Sequence, residues 1–145
     1  MTLLEQAIAF RKAFNQEIKE GLAPDGFIKE QLYDMQLRLI EEEVKELDEA
    51  ATVLKYSPND LSLQTEVLKE LSDVVYVCYQ LAAAFGMDLD TAMERVFESN
   101  MSKLDDDGKP IYREDGKVLK GPNYKEPLLD DLITVSRRTY DTSGK

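Results

Sequence analysis

Between Ile28 and Lys55 the apolar residues Leu32, Met35, Leu39, Ile40, Val44 and Leu47 recur at three- and four-residue intervals. That period draws them into one stripe along a helix. Along the edge of the stripe runs Glu41-Glu42-Glu43-Val44-Lys45-Glu46-Leu47, with four glutamates in under two helical turns. Like charges three and four apart on a helix repel each other, and a helix that needed only solubility would interleave lysines. The stretch therefore demands a long helix packed by one face, and something that neutralises the carboxylates beside that face.

The rest of the chain reads as helices arranged around this one. Leu3, Leu4, Ile8, Phe10 and Phe14 have helical spacing, and Thr2 with Glu5 has the form of a capping box. A first helix is expected from Thr2 to about Lys19, ending near Gly21, with Phe10 and Phe14 in the core. Ser57-Pro58-Asn59-Asp60 ends the second helix. A third runs from about Leu61 to Phe85. It is apolar almost all round in its second half, which predicts a subunit interface as well as a core, and Gly86 caps its end. A fourth starts at Asp88 or Asp90 and runs to about Lys103, carrying Ala92, Met93, Val96 and Phe97 inward. The pattern then changes. Asp115-Gly116 between two short candidate strands predicts a β-hairpin with a type I′ turn over about 108–121. The expected architecture is all-α: a four-helix bundle completed by oligomerisation, with a small C-terminal β-hairpin. Residues 1–129 form the domain and 130–145 a flexible tail.

Charge and composition narrow the function. With 29 acidic against 18 basic residues the net charge is −11. Sequence-independent nucleic-acid binding rests on Lys and Arg neutralising phosphates, so no nucleic-acid partner is expected, and no anionic membrane surface either. The longest apolar run, Val74 to Phe85, is too short to span a bilayer. A single cysteine, Cys78, and no visible secretory signal predict a reduced, cytoplasmic setting. There is no histidine. Histidine-dependent nucleophilic mechanisms are excluded within one chain, and any bound metal must be held by oxygen, which favours Mg²⁺, Mn²⁺ or Ca²⁺. Asp105-Asp106-Asp107-Gly108 lacks the ligand spacing of a calcium loop and reads as a polar turn.

Glu43 and Glu46 are three apart, as are Glu70 and Asp73, and each pair borders apolar neighbours. A short loop makes the second and third helices antiparallel, so the pairs can face each other. Two unit charges about 4 Å apart cost on the order of 4 kcal/mol at an effective dielectric near 20. Raised pKa values, lysine partners or metal can relieve this. The helical repeat points Lys45 and Lys69 away, which leaves metal as the best account against that of a solvated acidic face.

Glu42-Glu43-x-x-Glu46 followed by Glu70-x-x-Asp73 resembles the EExxE…ExxD signature of MazG-like nucleoside triphosphate pyrophosphohydrolases, all-α enzymes related to dimeric dUTPases and phosphoribosyl-ATP pyrophosphatase. Ser99-Asn100-Met101-Ser102-Lys103 and the Gly108-Lys109-Pro110-x-Tyr112 and Lys120-Gly121-Pro122-Asn123-Tyr124 segments extend the resemblance to about Leu129. It implies hydrolysis of a (deoxy)nucleoside triphosphate to the monophosphate and pyrophosphate, with a lean to a purine deoxynucleotide such as dGTP. A dUTPase-like pyrimidine enzyme and a non-catalytic acidic helical interaction module are the alternatives.

By position, the resemblance makes Glu43, Glu46, Glu70 and Asp73 ligands of two or more Mg²⁺ ions, with Mn²⁺ as substitute. Glu42 would be a further ligand or would orient the attacking water, with Glu42 and Glu43 as the catalytic residues. Asn100 and Lys103 would contact phosphate, and Lys109, Tyr112 and Lys120 on the hairpin would close over it. Phe14 and Asn15 would border a base pocket. The implied assembly is a homodimer or homotetramer joined through the third and fourth helices.

Overall fold

The structure is a computed structural model that describes residues 1–133. It contains α1 (Leu3–Ala13), α2 (Glu30–Leu54), α3 (Leu61–Ala84), α4 (Leu89–Met101) and a 3-10 turn, Asp130–Ile133, and among the described residues there is no sheet. The described residues are all-helical, as the periodicity requires.

The helix ends follow from local chemistry. The Thr2 hydroxyl accepts from the Glu5 amide at 3.1 Å, while the Glu5 carboxylate accepts from the Thr2 amide at 2.7 Å. This is the capping box read from the sequence. The first helix stops earlier than expected. Asn15 adopts φ 55°, and the Gln16 and Asn15 amides turn back onto the carbonyls of Arg11 and Lys12 at 2.8 and 3.3 Å. That is a Schellman close with asparagine in the left-handed position usually given to glycine. Gly86, at φ 64°, ends α3 in the same way, with Met87 bonded back to Ala82 at 2.9 Å. Asp60 and Asp88 cap the starts of α3 and α4 through the amides of Leu63 and Thr91.

The short connection between α2 and α3 folds them antiparallel, and this pair is the most extensive helix packing in the chain. Helix α1 lies on α3, and Leu4, Ala7 and Ile8 meet Tyr79, Ala82 and Ala83 in the core. Arg11 is fully buried there. Its Nε donates to the Glu17 carbonyl at 2.7 Å and its Nη1 to the Gln80 side-chain oxygen at 3.2 Å. Phe10 is only partly buried, stacks on Phe14 at 4.4 Å, and leaves Phe14 63% exposed rather than in the core. Helix α4 is attached mainly through α1 and the 3-10 turn. Met93 and Phe97, expected to point inward, are 54% and 64% exposed. The chain segment after residue 120 occupies the inner face in their place, with Ser99 Oγ donating to the Lys125 carbonyl and Arg95 to the Leu128 carbonyl.

The expected hairpin is reduced to one antiparallel bridge, Tyr112 to Val118, without strands. Arg113 and Lys117 close the turn at 2.8 Å, and Gly116 takes φ 87°. Among the described residues Asn15 alone has positive φ without being glycine, so Asp115 is not left-handed and the turn is not type I′. A two-stranded ribbon without a hydrophobic face to pack on is marginal. Pro110 and Pro122 further remove amide donors at its two ends. The 3-10 turn, Asp130–Ile133, stands at the start of the expected tail. Leu132 is 4% exposed, its carbonyl accepts from the Asp88 amide at 3.0 Å, and Asp131 pairs with Arg95. The remainder of the expected tail, 134–145, lies outside the described residues.

This docking makes a stability prediction. Leu132→Ala should lower the unfolding free energy by about 2–4 kcal/mol. Leu128→Ala, at a position 74% exposed, should change it by no more than about 0.5 kcal/mol. Denaturant unfolding of both variants checks this, and equal effects would place the segment off the core.

Candidate active site

The antiparallel packing of α2 on α3 brings the two acidic motifs together. Ligand oxygens of Glu43, Glu46 and Glu70 all lie within 4.8 Å of one another. Glu70 is 5% exposed, Glu43 half-buried and Glu46 exposed. The group therefore runs from the helix interface to the surface. Oε2 of Glu43 and Oε2 of Glu70 are both buried without a hydrogen-bond partner. Burying an unpaired carboxylate oxygen is costly, and two in one cluster mark a place where a cation or proton is missing from the balance.

The electrostatics are asymmetric. The Lys69 ammonium holds the Glu70 carboxyl below its ordinary value. Glu70, then the charge on Glu43, push the Glu46 carboxyl above its own. Negative charge thus settles on Glu70, and Glu46 is the member that ionises reluctantly. Lys69 is raised in turn by Asp73 first and Glu70 second. The reading that the helical repeat directs Lys69 away from the acidic face is therefore corrected. Its four-carbon stem lets the ammonium reach Glu70, the next residue, at 3.1 Å and Asp73, one turn on, at 3.0 Å.

The other candidate residues lie along α1, α2, α3, α4 and the segment after it. Asp73 stands outside the tight group and is held by Lys69. Glu42 is exposed on the solvent side of α2. Asn100 lies in the last turn of α4, and Lys103 just beyond its end. Lys109 is tied by its amide to Asp105 at 2.8 Å, Tyr112 is in the bridge, and the Lys120 ammonium sits 4.6 Å from the Tyr124 ring centre. Phe14 stacks on Phe10, and Asn15 ends α1.

Two glutamates absent from the sequence reading extend the acidic surface. Glu49 and Glu66 join Glu46 and Glu70 in lining a cleft of about 320 Å³. Their signal was present in the spacing, three residues after Glu46 and four before Glu70.

Glu46 supplies a pH test. Its raised folded-state value means that its contribution to stability is complete below the unfolded value of 4.5 and is lost as pH rises through the folded value. In chelator, Glu46→Gln and the parent should melt together near pH 4. The variant should become the more stable as pH rises toward neutrality. Melting curves across pH check this, and a pH-independent difference would contradict it.

Among the described residues no helix is long and apolar enough to cross a membrane. The family model described as phosphoribosyl-ATP pyrophosphohydrolase matches residues 7–100, which runs from within α1 through almost all of α4 and takes in every carboxylate of the cluster. No match was found among curated proteins. A match over so much of the chain, on a fold that is all-helical, shows that it belongs to the phosphoribosyl-ATP pyrophosphohydrolase family, within the MazG-like all-α superfamily, and is a pyrophosphohydrolase acting on a nucleotide-like substrate.

Proposed function

We propose that this chain hydrolyses a purine nucleoside triphosphate to the monophosphate and pyrophosphate, with Mg²⁺ as the required ion and Mn²⁺ as a substitute. The observation that carries the reading is the cluster of Glu43, Glu46 and Glu70, with two buried oxygens that lack partners. An all-oxygen donor set fits a hard divalent ion and suits neither zinc nor copper. Glu43, Glu46 and Glu70 would hold it, with Asp73 joining from the next turn of α3. When bound, the ion supplies positive charge against the triphosphate oxygens and stabilises the charge that develops at the α-phosphorus.

The chain's own groups supply the remainder. Glu42, next in sequence to Glu43, would orient the attacking water and accept its proton. Water adds to the α-phosphorus, the bond to the β-phosphate breaks, and pyrophosphate leaves. Asn100, Lys103, Lys109, Tyr112 and Lys120 remain the proposed phosphate contacts. Met93, Phe97 and Met101 form an exposed apolar stripe on α4, and Leu68, Leu71 and Val75 another on α3, which favours the dimer or tetramer through these helices. Phe97→Asp should then reduce the solution mass measured by light scattering, and an unchanged oligomer would exclude that face.

The family description favours a second substrate, phosphoribosyl-ATP, over the pyrimidine alternative. A pyrophosphate-release assay over the common NTPs, dNTPs and phosphoribosyl-ATP decides among them. A purine triphosphate should give the highest kcat/KM, and Glu43→Gln should lower that value on the order of a hundredfold or more with helicity intact. Turnover at the parent rate in the variant, or without divalent ion, would overturn the assignment.

A further inference from the structure

The face of α3 that carries Glu70 and Asp73 also carries a cation of its own. Lys69 Nζ lies 3.1 Å from Oε1 of Glu70 and 3.0 Å from Oδ2 of Asp73. Both residues belong to the proposed metal-binding set. The two sides of the contact differ in freedom. The Glu70 side chain is 6% exposed and fixed in the helix interface, whereas that of Lys69 is 60% exposed on a flexible stem. Glu43 and Glu46 face Glu70 from α2, and Glu66, one turn before it on α3, lines the same cleft. The ammonium is thus held by a surplus of negative charge and is free to swing into water.

We propose that Lys69 is an internal counter-ion that competes with the divalent cation for Glu70 and Asp73 and links metal entry to the arrival of a polyphosphate. A bare divalent ion that takes these oxygens must expel the ammonium into solvent, where it gains no new ionic partner. An ion that arrives with a polyphosphate brings anionic oxygens to which the expelled ammonium can turn. Metal and polyphosphate then tighten each other's binding, and by linkage each does so by the same factor. Lys69 acts on binding through the carboxylates, so it is a positioning residue. The inference rests on the metal reading above and adds this linkage to it.

Calorimetric titration of the full chain with Mn²⁺, with and without inorganic pyrophosphate, tests the proposal on the parent, Lys69→Met and Lys69→Arg. Methionine keeps an apolar stem and removes the charge. It should tighten Mn²⁺ binding without pyrophosphate by roughly three- to tenfold, the scale of partly exposed ion pairs. It should also shrink the extra tightening that pyrophosphate gives the parent. Arginine restores the charge and should restore weak binding of the metal alone. A purely structural lysine would shift the melting temperature and leave the metal constants in place. Equal or weaker Mn²⁺ binding by Lys69→Met, beside a parent that binds Mn²⁺, overturns the role of Lys69 and spares the metal reading. No binding by parent or variant overturns both.

Discussion

Repulsion among carboxylates across the α2–α3 interface is the constraint on which the rest of this molecule turns. Packing two long helices antiparallel buries apolar side chains, and the same act drives Glu43 and Glu46 against Glu70. At effective dielectric constants suited to such sites, each close pair of charges costs kilocalories, which is comparable with the whole margin of stability of a small domain. The protein tolerates this in three visible ways. Glu70 is matched by Lys69. Glu46 is held nearer to its neutral form by its neighbours. The cluster also opens to solvent on the Glu46 side, beside the cleft that Glu49 and Glu66 share. None of these satisfies the buried Oε2 atoms of Glu43 and Glu70.

Most of the helical frame was legible because it is written in local chemistry. The Thr2–Glu5 box, the cap at Gly86 and the break between α2 and α3 each need only a few neighbouring residues. The misreadings arise where tertiary packing overrides a local signal. Asn15 ends α1 because an asparagine can take the left-handed conformation, whereas the sequence offered Gly21 as the more obvious stop. Arg11 is buried because carbonyl and amide oxygens from Glu17 and Gln80 meet it, and an arginine on a helix otherwise reads as a solvent-facing residue. Met93 and Phe97 face outward because a downstream segment, remote in sequence, occupies the inner side of α4. The hairpin signal at Asp115-Gly116 produced a turn and one bridge, since a short two-stranded ribbon is marginal by itself.

The site was legible in the same uneven way. Spacing on two helices, with an antiparallel connection, was enough to bring Glu43, Glu46 and Glu70 together. Helical periodicity describes where a Cβ points and not where a long side chain ends, so Lys69 was placed on the wrong face. Periodicity also carries no information on how α4 sits relative to α2 and α3. The position of the proposed phosphate contacts around the carboxylates was therefore not legible in the sequence. The matched family answers the reaction class. The base, the sugar and the identity of the ion depend on groups that meet only in the assembled, substrate-bound enzyme.

Anomalous diffraction from crystals grown with Mn²⁺ tests the central claim most directly. The account predicts ion density bounded by the carboxylates of Glu43, Glu46 and Glu70, with the Lys69 ammonium moved off Glu70. No ion at the cluster, or density bound only at other carboxylates such as Asp105–Asp107, would contradict it.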